Sequence, residues 1–565
     1  MTSVARILHR SALVAVAVMG MSSTALSQTF FTSKPLSATG SFLAGQQAMV
    51  DMRTADAARY FGQAAQVDWE NPTVIERAFV AYAANGQIGD AANTARHLLE
   101  LQPDNQLARL IIATEALKER RYAAAAEALR DLGSDNFAGI TGDILRAWAL
   151  VGDKKLDEAN KLLDELGSQG LGDFLVFHRA LMAEVTGNTD DAIRYAKKAY
   201  ENDPYVARVA EAYARILGNA GKFDDAIDVV VNFEAQGLSH PLVDQVKEDL
   251  AKHKRPGMFA TNVQTGAAEM FHGIGVALAR DGSLDLSVVF LRLGIYLEPK
   301  ADVISLVLGQ LLDGAGQHDA ANKLYDAIPT GSPMKPTAVI RVASNLDATG
   351  DRSEAIRRLG NIVATNPKDI DAVSTLGDML RSDKQYIAAA DAYTKALDLT
   401  NGEAPADWRF YYVRGIAYER ANEWDKAESD FLKALDLNPD QPQVLNYLGY
   451  SWVDKGMNLD RALGMIQKAV QSQPNDGYIV DSLGWAYYRL NKYDDAVRYL
   501  EQAVQLRPND PEINDHLGDA YWRAGRTLEA RFQWNIALSV DQEGNVKERV
   551  KPKLANGLDP VAATQ

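Results

Sequence analysis

Small and large apolar positions alternate with polar ones along most of the chain in a pattern that repeats every 34 residues. The clearest copy runs from Gly477 to Asp510 and carries Leu483-Gly484, Tyr487, Ala496, Leu500, Ala503 and Pro508, at positions 7, 8, 11, 20, 24, 27 and 32 of the unit. Positions 7, 8 and 11 share one stripe of a helix, and 20, 24 and 27 share one stripe of a second. The pattern therefore predicts a helical hairpin. Pro508 stops the second helix, because proline has no N–H to donate and clashes with the preceding turn. Gly at position 8 and Ala at 20 are small enough to let the two helices touch, and the large residues at 11 and 24 fill the space beside that contact.

The unit from Pro511 repeats the pattern with Leu517-Gly518, Tyr521, Ala530, Trp534 and Ala537, and Gln542 replaces the proline. The unit from Pro442 gives Leu448-Gly449, Trp452, Ala462, Ile466, Ala469 and Pro474, with one residue inserted near Met457-Asn458. The unit from Trp408 gives Gly415, Tyr418, Ala427, Phe431, Ala434 and Pro439. Upstream, starts near Ala268, Asp302, Pro336 and Ile370 keep the register through Gly275, Gly309, Ala321, Ala355, Pro367, Gly377, Ala389 and Ala396. Earlier starts fall at Ala38, Pro72, Gln106, Ile140, Asp173 and Ala207, marked by Ala57, Ala91, Ala125, Ala159, Ala192 and Ala226 at position 20. That makes fourteen units. One hairpin cannot bury both of its faces, so the units must stack on one another.

Position for position, this motif resembles the tetratricopeptide repeat (TPR) family. The resemblance implies an all-α, right-handed superhelix (an α-solenoid) of about fourteen helix-turn-helix repeats. The resulting organisation is a signal peptide at 1–27, a linker at 28–37, an N-terminal repeat block at 38–240, a helix/loop insert at 241–267, a middle block at 268–407, a C-terminal consensus-like block at 408–544, and a capping helix and tail at 545–565. Within the insert, Pro241 to Lys252 reads as a lone helix. The following Lys252-His253-Lys254-Arg255-Pro256-Gly257 reads as a loop or hinge at the boundary between superhelical blocks.

The first residues change the picture. Arg6, His9 and Arg10 precede the apolar run Ser11 to Met21, and Ala25-Leu26-Ser27 follows with small residues where a signal peptidase reads. This predicts export, with cleavage after Ser27. The alternative is a membrane anchor, which needs about 20 apolar residues, more than this run supplies. The expected address is the bacterial periplasm. The formal net charge is -16, and removing the two arginines of the leader would make it about -18. Such a field repels nucleic acid and anionic lipid and favours basic partners. No cysteine occurs, so disulfides, thiolate metal sites and a lipidated cysteine are excluded.

No catalytic constellation emerges, and neither a cofactor nor a metal is expected. The histidines His97, His178, His240, His253, His272, His318 and His516 are scattered, without metal-ligand spacing. Gly218-Asn219-Ala220-Gly221-Lys222 is too short for a phosphate loop, and Gly273-Ile274-Gly275 lies inside a helix and follows no strand. The Asp-rich turns lack a calcium-binding series. The chain reads as a binder of proteins rather than an enzyme.

In the TPR family, positions 2, 5, 9, 12 and 13 line the concave groove and face the ligand. That resemblance implies a protein-binding set made of Arg409, Tyr412 and Arg420; Asn446, Tyr450 and Asp454; Tyr478, Asp481, Trp485, Tyr488 and Arg489; and Asp515, Asp519, Trp522 and Arg523. Glu419 and Glu512 belong to the same stripe. Trp485 and Trp522 lie off the core positions, where they either face a ligand or pack on the neighbouring helix. The family's two-carboxylate clamp is not reproduced.

The stretches LNYLGYSWVDKGMNLDRAL, YIVDSLGWAYYRL and INDHLGDAYWRAGRTLEA look like the C-terminal units of bacterial cell-envelope TPR proteins. Some of these are adaptor lipoproteins that bring peptidoglycan hydrolases and other substrates to a periplasmic protease; others are soluble and support envelope integrity. The resemblance implies a periplasmic scaffold or adaptor with protein or peptide partners in the cell envelope, no nucleic acid, no lipid anchor and no membrane span after signal cleavage. A component of an export or polysaccharide-secretion machine is the second reading.

Overall fold

The computed structural model describes residues 37–132, 137–167 and 171–558. The expected signal peptide, nearly all of the linker and the end of the tail lie outside these residues. The described residues form thirty α-helices, from Ala38–Val50 to Lys547–Asn556, and no strand. Twenty-six of them pair into thirteen hairpins, most of which pack on the next within their own part of the chain, and Lys335–Ala348 and Arg352–Thr365 occupy the places of one more. Each expected unit start falls at, or within five residues of, the N-terminus of a helix. The other two helices are Pro241–Ala251 and Lys547–Asn556.

Two local rules build each hairpin. The first is the contact between positions 8 and 24. A Cβ added to Gly484 would fall 2.5 Å from Cγ of Leu500. The same clash would set Gly275 against Leu291, Gly309 against Tyr325, Gly377 against Tyr393, Gly415 against Phe431, Gly449 against Ile466 and Gly518 against Trp534. In these hairpins glycine lets the second helix lay a large side chain directly on the backbone of the first, and Ala113, Ala147, Ala180 and Ala214 hold the position in earlier repeats. The second rule is the turn. At least one residue in each turn takes a left-handed conformation, among them Gly316, Lys384, Asn422, Gly456, Asn491 and Gly525, and this reverses the chain within about three residues.

The chain forms two compact units, one ending at Thr349 and the other starting at Gly350. In the first, the helices Val263–Arg280 and Leu284–Leu297 do more than extend the stack. Val263–Arg280 packs on Phe137–Gly152 and Gly172–Val185, and Leu284–Leu297 packs on Pro72–Ala84 and Gln106–Lys118. These four are first helices of earlier repeats. Gly266 lies on the indole of Trp148, and a Cβ at Gly273 would fall 2.6 Å from the Phe174 ring. Gln264 Nε2 donates to the Leu117 carbonyl at 2.8 Å, Lys118 Nζ to Leu297 at 3.0 Å, and Arg292 Nε to Ala84 at 3.2 Å. Burial without a carboxylate partner pushes Arg292 down to about 10. One hydrophobic core consequently runs from Ala48 to Val342.

The segment expected to divide the superhelical blocks, 241–267, thus lies inside the first unit. The physical reason is that Val263–Arg280 is apolar on both sides. One side serves its own hairpin through Gly275, and the other folds back onto the earlier repeats. The loop before it is held in place. Glu184 accepts the N–H groups of Phe259 and Ala260 at 3.3 and 3.1 Å, and burial pushes its carboxyl up to about 7 in spite of those bonds. Arg215 donates to the Pro256 carbonyl at 2.6 Å, and Arg208 bridges Glu211 and Glu269 at 2.6 Å each.

The second unit contains the consensus-like repeats. Its largest core cluster runs from Ala427 to Ala520, and a smaller one joins Ala530, Trp534 and Ala537 to Val546 and Val550 of the C-terminal segment. The helix Lys547–Asn556 therefore packs on the last hairpin, Pro511–Arg523 with Thr527–Val540, where the first helix of a further repeat would lie.

Candidate functional site

The first helices of the four C-terminal hairpins are Trp408–Arg420, Pro442–Lys455, Gly477–Arg489 and Pro511–Arg523. Asp476 caps the third by accepting from Tyr478 N at 3.0 Å, and Asp510 caps the fourth by accepting from Glu512 N and Ile513 N at 3.0 Å each. These caps fix the register in which the side chains of the expected set leave their helices.

The structure joins much of that set into a ladder in which an acid of one element meets a base one repeat later. Asp454 Oδ1 accepts from Arg489 at 3.1 Å. Asp481 accepts from Nδ1 of His516 at 3.0 Å. Asp515 accepts from Arg549 at 2.6 Å and from Lys553 at 2.8 Å, and Asp519 accepts from Lys553 at 2.8 Å. Each step spans 34 or 35 residues except the Asp515–Lys553 contact, which spans 38. Glu512 ties the rungs together, reaching Nε2 of His516 at 3.4 Å and Arg549 at 2.6 Å.

The electrostatics follow from burial and pairing. His516 is 5% exposed; burial disfavours its cation, but Asp481 and Glu512 outweigh that and push it up to about 10. Burial likewise opposes the Glu512 anion, and His516 with Arg549 overcomes it, holding the carboxyl down at about 2. Burial raises Asp519 above the ordinary carboxylate range, although Lys553 and the Trp534 N–H, 2.9 Å away, favour its anion.

The aromatic residues form a second layer. Trp485 stacks on Tyr488, with ring centres 4.7 Å apart, and on His516 at 4.1 Å. Its indole N–H is buried without a partner, as is Oδ1 of Asn446. Trp522 packs on Trp534 at 5.5 Å and underlies Gly557, whose φ is +76°. Tyr412 is half-buried among Trp408, Phe431 and Tyr447, and burial raises its hydroxyl pKa. Burial does the same to Tyr450, helped by Asp481 and Glu512. Arg523 stands beside the Tyr488 hydroxyl.

Of the expected residues, Tyr478 is 51% exposed, and Arg409, Arg420, Asp454 and Arg489 are at least partly exposed too. Asp481, Asp515 and Asp519 are buried within the ladder. Sequence reasoning did not single out His516, Arg549 and Lys553. The signal was there: Arg549 and Lys553 each stand 34 residues after an acid of the preceding first helix, Asp515 and Asp519. No group of His, Asp and Glu with the makings of a metal site occurs among the described residues, and no described helix is long and apolar enough to cross a membrane.

Comparison with known proteins places this face in context. Family models described as tetratricopeptide repeat match residues 343–404 and 408–441, and one described as TPR repeat matches 484–525. A TPR repeat-containing protein of Pseudomonas aeruginosa is 30% identical over 201 residues, 35% of this chain and 33% of that protein. The human protein O-mannosyl-transferase TMTC1 is 24% identical over 184 residues, 33% of this chain and 21% of that protein. The chain thus spans about a third and a fifth of the length of these relatives. A tetratricopeptide repeat protein of Parabacteroides merdae aligns at TM-score 0.38 and 16% identity, over 45% of this chain and 97% of its own. With three separate repeat matches falling on hairpins that share one glycine contact, the chain is a tetratricopeptide-repeat protein.

Proposed function

We propose that this chain is a non-catalytic periplasmic scaffold of the bacterial cell envelope, holding protein partners on the face formed by the first helices of its C-terminal repeats. Stacked TPR hairpins are a protein–protein interaction scaffold. The sharper reading is an adaptor that presents substrates such as peptidoglycan hydrolases to a protease and so supports envelope integrity. The observation that carries the binding face is the row from Tyr478 through Trp485 and Tyr488 to Arg489. It combines aromatic area with flanking charge, the composition of interaction hot spots. The basic-then-apolar pattern of residues 1–27 supports the address. In the first unit, four of the equivalent helices are covered by Val263–Arg280 and Leu284–Leu297, which favours the second unit as the open one.

The test is affinity capture from a periplasmic extract with the wild-type chain and with a variant carrying Tyr478→Ala and Arg489→Ala. Capture of hydrolases together with a protease, lost in the variant, is the expected result. Secretion-channel subunits in their place would assign the chain to an export machine. Recovery of the full-length chain from the cytosol, uncleaved, would remove the periplasmic address.

A further inference from the structure

We infer that the seat beneath the helix Lys547–Asn556 is a docking surface for a basic amphipathic helix of a partner protein, and that this helix is its displaceable resident. The inference rests on the reading of the chain as a protein-binding scaffold and names the chemistry of one partner.

The seat is defined from both sides. On the repeat it consists of Glu512, Asp515, Asp519, Trp522 and Trp534. Asp515 is 1% and Asp519 6% exposed. Carboxylates this deeply buried need cations against them. The resident supplies Arg549 and Lys553, one helical turn apart. Val546 and Val550 are fully buried against Ala530, Trp534 and Ala537, with Leu554 beside them. The resident thus writes out the code the seat reads: aliphatic residues at i, i+4 and i+8, and cations at i+3 and i+7. All five side chains fall on one side of a helix. Of the bases paired with Asp481, Glu512, Asp515 and Asp519 among the described residues, His516 alone would stay with the seat open, so the opened surface selects for cations.

The resident is also weakly tied. It is ten residues long, below the length at which an isolated helix holds together, and Pro552 removes one of its internal hydrogen bonds. It is joined to the helix Thr527–Val540 through a short turn that includes Gly544 at φ +81°. Beside the ion pairs and the packing of its valines, its hydrogen-bonded ties include Asp541, which accepts from Val546 N and Lys547 N at 3.0 and 3.1 Å, and Arg531, which donates to the Leu554 carbonyl at 2.8 Å.

The experiment uses the full chain and a fluorescein-labelled synthetic peptide of residues 545–558. In a variant carrying Arg549→Glu and Lys553→Glu, the resident is repelled and the peptide is expected to bind at least tenfold more tightly than to the wild type. That binding should weaken about tenfold between ~0.05 and ~0.5 M salt, as the attraction between the opened acidic seat and the free cationic peptide becomes screened. A peptide with both cations reversed should not bind. A variant with wild-type helix content that leaves the peptide unbound overturns the proposal. So does a concentration-dependent dimer of the variant that excludes the peptide, because the seat would then belong to a second copy. Hydrogen exchange on the wild type gives an answer independent of the variant's folding. Amides of 547–556 should exchange at least tenfold more readily than those of 527–540, and equal protection would show that the resident does not leave. Peptide binding without capture of any periplasmic partner would leave the seat standing and remove the scaffold reading instead.

Discussion

The indole of Trp485 lies on the imidazole of His516 with ring centres 4.1 Å apart and planes 19° from parallel. The imidazole is clamped at its edges by Asp481 and Glu512, which keep it charged far above its ordinary range. A cation against an indole face is favourable, so the stack and the ion pairs stabilise the same protonation state.

That arrangement sets a pH dependence. A histidine raised from 6.5 to about 10 on folding contributes stability that is complete below 6.5 and is lost as pH rises through 10. The second unit should therefore unfold at progressively lower denaturant between pH 7 and 10. His516→Gln should flatten that slope and lower stability at pH 7. Trp485 emission, isolated by difference against Trp485→Phe, should change with a midpoint near 10. A midpoint near 6.5 would mean that the imidazole is not held by the two acids.

The glycines under position 24 give a prediction of packing. A Cβ at Gly377 would fall 2.7 Å from the Tyr393 ring, and Tyr393 is 1% exposed and has nowhere to go. Gly377→Ala should destabilise the second unit by ~1–3 kcal/mol, the usual cost of forcing atoms into a filled core. Gly314, on the same kind of helix with nothing within 4 Å of its would-be Cβ, is the control. Gly314→Ala should be neutral or stabilising by up to ~1 kcal/mol, because alanine is the better helix former. Urea unfolding of both variants checks the contrast.

The hairpin turns offer a stabilising change. Lys384 holds φ +63° where other repeats place Gly316, Gly350 or Gly525. A left-handed L-residue costs ~1–2 kcal/mol, and glycine's larger unfolded-state entropy cancels some of the gain from relieving it. Lys384→Gly should raise the stability of the second unit by ~0.5–1 kcal/mol. A loss of stability would show that the Lys384 side chain makes an unrecognised contact.

Much of this was legible in the sequence, because a hairpin is fixed by local chemistry. Gly484 and Leu500 are sixteen residues apart and meet as the equivalent pairs of other repeats do, so the 34-residue period locates every hairpin. The binding face was legible only as a set of positions. Whether Asp515 faces solvent or a lysine depends on Lys553, which lies in another element. The return of Val263–Arg280 onto Phe137–Gly152 was not legible at all from the repeat. Its one trace is a helix apolar on both sides, with Gly266 and Gly273 placed to admit Trp148 and Phe174. A periodic pattern specifies contacts between neighbours, and this contact skips several repeats.

Two ion pairs of the second unit separate structure from binding. Arg414 meets Asp430 in a two-pronged contact at 2.8 and 2.7 Å, with side chains only 16% and 7% exposed. Arg489 meets Asp454 at 3.1 Å with side chains 34% and 62% exposed. Removing one partner of a buried pair strands the other charge, so Arg414→Met should cost ~3–5 kcal/mol. Adding Asp430→Leu should recover most of that loss, because no charge is then left buried. The exposed pair is screened by water, and Arg489→Met should cost less than ~1 kcal/mol. Urea unfolding of the three variants measures these differences. If Arg489→Met proves as costly as Arg414→Met, that arginine serves the fold, and the exposed end of the ladder is no longer available to a partner.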